Sequence, residues 1–133
     1  PWWSVLIGFV VMHYTAGLIL STVFQLAHIS EDAEFPLADS KGTMKNTWAI
    51  HQLATTVNFS TKNRFVNWFT GGLNHQIEHH IFPHISHVHY TKISSIVRKT
   101  AEEFNLPYNE YKTTRSALFS HFRFLKQMGM QPS

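Results

Sequence analysis

The sequence predicts an all-α integral-membrane helical protein fragment, with one transmembrane helix and a helical cap outside the bilayer. Three observations predict it. Between Trp2 and Ile29 there is no Asp, Glu, Lys or Arg, and about 20 mostly apolar residues suffice to cross a bilayer core as a helix. Hydrophobic residues make up 44% of the 133 and charged residues only 14%, against about 25% charged in an average soluble domain. In the polar remainder, the clearest periodicity is helical rather than alternating.

Residues 2–29 read WWSVLIGFVVMHYTAGLILSTVFQLAHI and form the expected transmembrane helix. Trp2 and Trp3 stand at one end, as an aromatic belt does. A helix buried in a soluble core would show some polar periodicity. A secretory signal would be shorter and preceded by basic residues. Residues 30–133 form the expected region outside the bilayer. Glu31, Asp32, Glu34, Pro36, Asp39 and Gly42 follow the helix at once. The next stretch, TMKNTWAIHQLATTVNFSTKNRFVNWFTGG, is aromatic and amphipathic with mixed periodicity. Part of it is expected to be helical or to lie on the membrane surface, and Gly71-Gly72 breaks it. A short helix is expected from Asn74 to about Phe82, ended by Pro83. From Thr91 to Asn105, Ile93, Ile96, Val97, Ala101 and Phe104 recur at helical spacing, with Lys92, Arg98, Lys99, Glu102 and Glu103 on the remaining surface. Leu106-Pro107 stops that amphipathic helix, and a last helix is expected over Ser116–Met128.

The absence of cysteine excludes disulfides, Cys-based zinc sites and iron–sulfur clusters. The net charge of +3 is mild and its basic residues are scattered. Nucleic acid is therefore not an expected partner, and anionic lipid headgroups suit the balance better. Starting at Pro1 with residues that are already apolar, the chain is expected to be a piece of something longer.

Six of the ten histidines lie between Leu73 and His89, in LNHQIEHHIFPHISHVH. On a helix at about 100° per residue, His75, Gln76, His79 and His80 fall within an arc of roughly 140°, with Glu78 on another side. Imidazole is a good ligand for iron, zinc, copper or nickel. HQIEHH lacks the HExxH spacing of a simple zinc site. His84, His87 and His89 lie past Pro83 and read more readily as loop histidines. His28 ends the membrane helix, where an ionisable group needs a partner; both a harmless interfacial histidine and a ligand fit that place. His13, in mid-helix, is expected to bond another helix. His51 fits either a structural hydrogen bond, the readier reading, or ligation.

FQLAHISEDAEFP, WAIHQLATTVNF and GGLNHQIEHHIFPHISHVHY resemble the C-terminal part of membrane fatty acid desaturases, most closely the acyl-lipid, front-end type, including bacterial linoleoyl-CoA-desaturase-like proteins. That type carries a third histidine box QxxHH, here Gln76, His79 and His80. The resemblance runs from about Val11 to Met128. It implies four transmembrane helices in two hairpins beneath a cytosolic helical cap, with two irons held by histidines at the cytosolic face. It implies that His28, Gln76, His79 and His80 are metal ligands, with His75 beside the box. Asn74 or Glu78 is expected to accept hydrogen bonds from ligand rings. The family's first two boxes, HxxxH and HxxHH, have no counterpart ahead of the third box here and are expected upstream of Pro1.

The resemblance implies oxygen-dependent insertion of a double bond into an acyl chain. A chain methylene has no acidic proton and no leaving group, so acid–base side chains cannot break its C–H bond, and a redox cofactor must. The substrate is an acyl lipid or acyl-CoA, and the electrons come from a cytochrome b5, fused or separate, or from a ferredoxin. With half of the ligand shell, these residues alone are expected to be inactive. The alternatives are a fatty acyl hydroxylase on the same scaffold and a non-enzymatic, histidine-rich metal-binding membrane protein.

Overall fold

A computed structural model describes residues 1–130; the last three residues of the expected region 30–133 lie outside the described residues. Helix α1, Trp2–His28, runs unbroken for 27 residues. At about 1.5 Å per residue that is roughly 40 Å, more than the ~30 Å hydrocarbon core. Every side chain from Pro1 to Ser21 is exposed, so most of the apolar length of α1 is uncovered by the described residues. It is long and apolar enough to cross a membrane. Among the described residues the partner of His13 is in its own helix: its Nδ1 lies 3.0 Å from the carbonyl of Phe9, one turn back. A single polar ring on an isolated apolar helix finds its nearest partner in its own backbone.

Only the last turns of α1 are covered. Leu26 and Ala27 pack with Phe59 and Ala117, edged by Val23, Val66 and Tyr111. The core of the cap therefore sits at the foot of α1. Helix α2 spans Trp48–Thr55, α3 Arg64–Phe69 and α4 Gln76–Ile81. A 3-10 turn at His87–His89 leads into α5, Tyr90–Glu103, and α6 spans Thr114–Met130. The Asn63 side chain caps α3, accepting from the amides of Phe65 and Val66. Asn105 takes a positive φ of 52° just beyond α5, so the chain turns before Pro107.

The region is mostly helical, as expected, with one short addition: strand β1, Asn58–Phe59, pairs in parallel with β2, Glu110–Tyr111, in the register Asn58↔Glu110 and Phe59↔Tyr111. Two-residue strands carry no periodicity, and their pairing spans helices α3 to α5. The short histidine helix begins at Gln76 rather than Asn74, and its N-cap His75 has non-helical angles, φ −99° and ψ 59°. The reason is that the Asn74 side chain is bound elsewhere. It accepts from the Thr70 hydroxyl at 3.0 Å and donates to the Phe59 carbonyl at 3.1 Å.

Several long-range bonds clamp the cap to the end of α1. Val57 N–H donates to the Ala27 carbonyl at 2.9 Å. His121 Nδ1 reaches the Ile29 carbonyl at 2.7 Å, and the Glu31 amide donates to Ser120 Oγ at 3.0 Å. Between α3 and α4 the chain reverses at Gly71 and Gly72, both at positive φ. At Gly72, with φ +80°, an added Cβ would stand 2.8 Å from the Cβ of His87. Gly72→Ala is expected to destabilise the full-length protein by about 1–3 kcal/mol, read as a lowered melting temperature. An unchanged melt would mean that the turn relaxes without cost.

Candidate metal centre

Helix α4 is short and has no side-chain cap, so its position depends on tertiary bonds. Asn58, at the start of β1, supplies them. Its Oδ1 accepts from the Ile77 amide at 2.9 Å, and its Nδ2 donates to Glu78 Oε2 at 2.8 Å. Tyr108 Oη donates to Glu78 Oε1 at 2.8 Å. Glu78 is fully buried, and that burial pushes its pKa up, opposed by the bonds from Asn58 and Tyr108. Burial, with the Glu78 charge adding to it, pushes Tyr108 up to about 12, so its hydroxyl remains a donor. One face of α4 is thus pinned to the cap, leaving Gln76, His79 and His80 to the other.

On that free face α4 meets the end of α1. Gln76 Nε2 stands 3.1 Å from His28 Nε2 and 3.3 Å from His80 Nε2. The His28 and His80 rings lie 5.0 Å apart, centre to centre. The Gln76 amide nitrogen donates to both ring lone pairs, and a half-turn of the amide brings its oxygen to the same point. His79 adjoins His80 edge-on, with ring centres 5.8 Å apart. Of the predicted ligands, His28, Gln76 and His80 converge directly and His79 flanks them. Among the described residues, no three His, Cys, Asp or Glu side chains gather closely enough to hold a metal; the convergent trio here includes a glutamine.

The ring-orienting partners are not the expected ones. Asn74 and Glu78 are spent on the bonds above. His80 Nδ1 lies 2.7 Å from Gln52 Oε1, on α2. An amide oxygen only accepts, so against Gln52 His80 carries its proton on Nδ1 and turns its Nε2 lone pair toward Gln76. His79 Nδ1 lies 3.2 Å from the Tyr90 hydroxyl at the start of α5. Burial pushes His80 down to about 4, and the His28 and His79 charges add to it. The ring is therefore neutral near pH 7, as a metal ligand must be. The sequence directed attention to His51 and passed over its neighbour Gln52. Helical phase was the available signal: Gln52 lies on a different side of α2 from His51.

His75 is corrected as a member of the ligand face. As the N-cap it lies outside the helical wheel, and its side chain turns away to α5. Its Nδ1 lies 3.3 Å from Ser94 Oγ and 3.8 Å from Glu78 Oε2. Burial pushes His75 down to about 4, so near pH 7 this contact is not an ion pair. His51 lines a cleft of about 370 Å³ with His28, Glu34, Phe35, Pro36, Leu37, Thr55 and His80. Its buried Nδ1 meets no hydrogen-bond partner, so the structural bond favoured from sequence does not form at that atom. His84, His87 and His89 are all exposed; His84 lies in a turn, while His87 and His89 belong to the 3-10 turn before α5 rather than to a loop.

The family described as fatty acid desaturase matches residues 1–112. The chain is 45% identical over 127 residues to an sn-1 linoleoyl-lipid 6-desaturase of Synechocystis sp., covering 95% of this chain and 35% of the relative. It is 43% identical over 126 residues to an enzyme of the same name from Arthrospira platensis, covering 95% and 34%. It is 44% identical over 122 residues to an acyl-lipid (8-3)-desaturase of Physcomitrium patens, covering 92% and 25%. This chain spans about a third or less of the length of these relatives. No solved structure matches it.

Proposed function

This chain belongs to the fatty acid desaturase family, and on that premise we propose that it is the C-terminal part of an integral-membrane acyl-lipid desaturase, contributing part of a di-iron centre. The reaction takes a –CH₂–CH₂– unit, dioxygen, two electrons and two protons to –CH=CH– and two waters. The observation that carries the reading is the meeting of His28, from the end of α1, with Gln76 and His80 of α4 at 3.1 and 3.3 Å. A polar trio joining the foot of an apolar helix to a histidine box, with neutral nitrogen donors, fits iron.

His28, Gln76, His79 and His80 would hold the metal. Bound iron would supply oxygen activation and the oxidising power to remove hydrogen from an unactivated methylene. Residues of this chain do the rest. Gln52 holds the His80 proton on Nδ1 and aims Nε2 at the centre. The Tyr90 hydroxyl steadies His79 from the other side. Phe35, Pro36 and Leu37 give the adjoining cleft an apolar wall, suited to an acyl chain arriving from the bilayer. The centre would lie on the cytosolic face, with a cytochrome b5 or a ferredoxin supplying electrons. Residues 1–133 alone would be inactive, because the first two histidine boxes would come from the upstream part.

The test is made on the full-length protein in lipid vesicles, with an electron donor and dioxygen. Mass spectrometry is expected to find acyl chains lighter by two hydrogens, and metal analysis to find about two irons per chain. Hydroxylated acyl chains would turn the reading to a hydroxylase. Zinc or copper with unaltered lipid would overturn the enzyme altogether.

A further inference from the structure

Helix α3 leaves its aromatic side outward. Phe65, Trp68 and Phe69 share one face at i, i+3 and i+4, and they are 67%, 75% and 53% exposed. Their rings form one patch, with Phe65 centred 5.9 Å from Trp68 and 6.0 Å from Phe69. The opposite face carries Asn67, whose Nδ2 donates to the Thr61 carbonyl at 3.1 Å. A surface helix in water turns its apolar stripe to the core. Here Val66 and the Asn67 amide face in, and the three aromatic rings face out.

The aromatic patch continues onto α1. A groove of about 320 Å³ lies between Leu18, Ile19 and Val23 of α1 and Phe65, Val66 and Phe69 of α3. These α1 residues belong to the apolar stretch read above as a membrane span. The charge along this part of the chain is one-sided. From Ser40 to Ile77 the chain carries Lys41, Lys45, Lys62 and Arg64 and no Asp or Glu, and Lys62 and Arg64 are exposed at the entry to α3. A short apolar face containing Trp and Phe, bordered by Lys and Arg, is the composition of a helix lying in a membrane interface.

We propose that α3 lies in the plane of the bilayer surface, with Phe65, Trp68 and Phe69 among the acyl chains and Lys62 and Arg64 at anionic headgroups. With α1 it forms a two-point mount. One helix crosses the membrane, and the other rests at the interface beside its last turns, setting the depth and tilt of the cap. The strand residues Asn58 and Phe59 run from α2 toward α3, so the mount and the α4 anchor share one stretch of backbone. The proposal rests on α1 being a membrane span.

Spin labelling tests both points separately. The described chain contains no cysteine; any cysteines elsewhere in the full-length protein are replaced by serine. Nitroxides are attached at Trp68→Cys, at Phe65→Cys as a second site, and at Val10→Cys in α1. The protein is reconstituted in phosphatidylcholine–phosphatidylglycerol vesicles. At positions 65 and 68 the label is expected to collide more with dissolved oxygen than with a water-soluble nickel chelate. Dominant nickel collisions at both would mean that the face is in water. Low rates for both probes would mean that another segment of protein covers it. Either result overturns the proposal. Nickel access at position 10 would instead overturn the membrane span itself.

Discussion

His80→Ala in the full-length protein is expected to reduce desaturation to background while leaving the protein inserted in the membrane. The ring sits where three contacts meet. Its Nε2 lies 3.3 Å from the Gln76 amide, its Nδ1 lies 2.7 Å from Gln52, and its centre is 5.0 Å from that of His28. Removing it deletes a donor that no neighbouring side chain replaces. His79→Ala is expected to do the same, since His79 is the remaining histidine of the box. Gln52→Ala acts through His80 rather than on the metal. The Nδ1 proton loses its acceptor, the ring can turn or change tautomer, and activity or iron affinity should fall about 10–100-fold. Iron content and turnover are measured together on protein extracted from membranes. Wild-type turnover with His80→Ala or His79→Ala would remove that residue from the ligand set. An unchanged iron affinity with Gln52→Ala would leave Gln52 without a positioning role.

The largest stability effect is expected at Glu78. Its carboxylate is fully buried and accepts from Asn58 Nδ2 and Tyr108 Oη. Glu78→Ala removes the acceptor of both donors, leaving Asn58 Nδ2 only the Tyr108 hydroxyl and Tyr108 only Ser94 Oγ at 3.3 Å, a loss of about 1–3 kcal/mol. It also opens space beneath α4. A loss of about 2–5 kcal/mol follows. Glu78→Gln keeps the shape and one acceptor oxygen, so about 1–2 kcal/mol is expected. Because α4 lacks a side-chain cap, the damage should extend to the centre it carries, and iron should be lost along with stability. Thermal unfolding and iron content of the detergent-solubilised full-length protein measure both. A Glu78→Ala protein that melts like wild type and retains its iron would show that α4 does not depend on this anchor.

These two experiments address different sides of the same six-residue helix, and the sequence exposed the two sides unequally. The free side was legible because QxxHH is a local pattern: Gln76 and His80 are one turn apart and face the same way wherever the helix is put. The pinned side was not. From sequence Glu78 is a candidate acceptor for the ligand rings; its actual partners, Asn58 and Tyr108, come from 20 and 30 residues away. His75 misled for a related reason. The wheel assumed a helix starting at Asn74, but Asn74 is bonded to Thr70 and Phe59, so the turn containing His75 is not helical. Its ring points at Ser94 instead of the box.

Composition and short-range spacing were enough to place the long uncharged helix, the amphipathic helix before Asn105 and the closing helix. Each rests on composition or on spacing within a few turns, which the chain carries with it into any fold. Only packing brings His28 to Gln76 and His80, sets Gln52 against His80 Nδ1, pairs residues 58–59 with 110–111, and turns the aromatic rings of α3 outward. Those outcomes depend on groups far apart in the chain. Buried polar groups must find partners wherever the packed chain supplies them, and that choice is made only when the cap closes around the foot of α1.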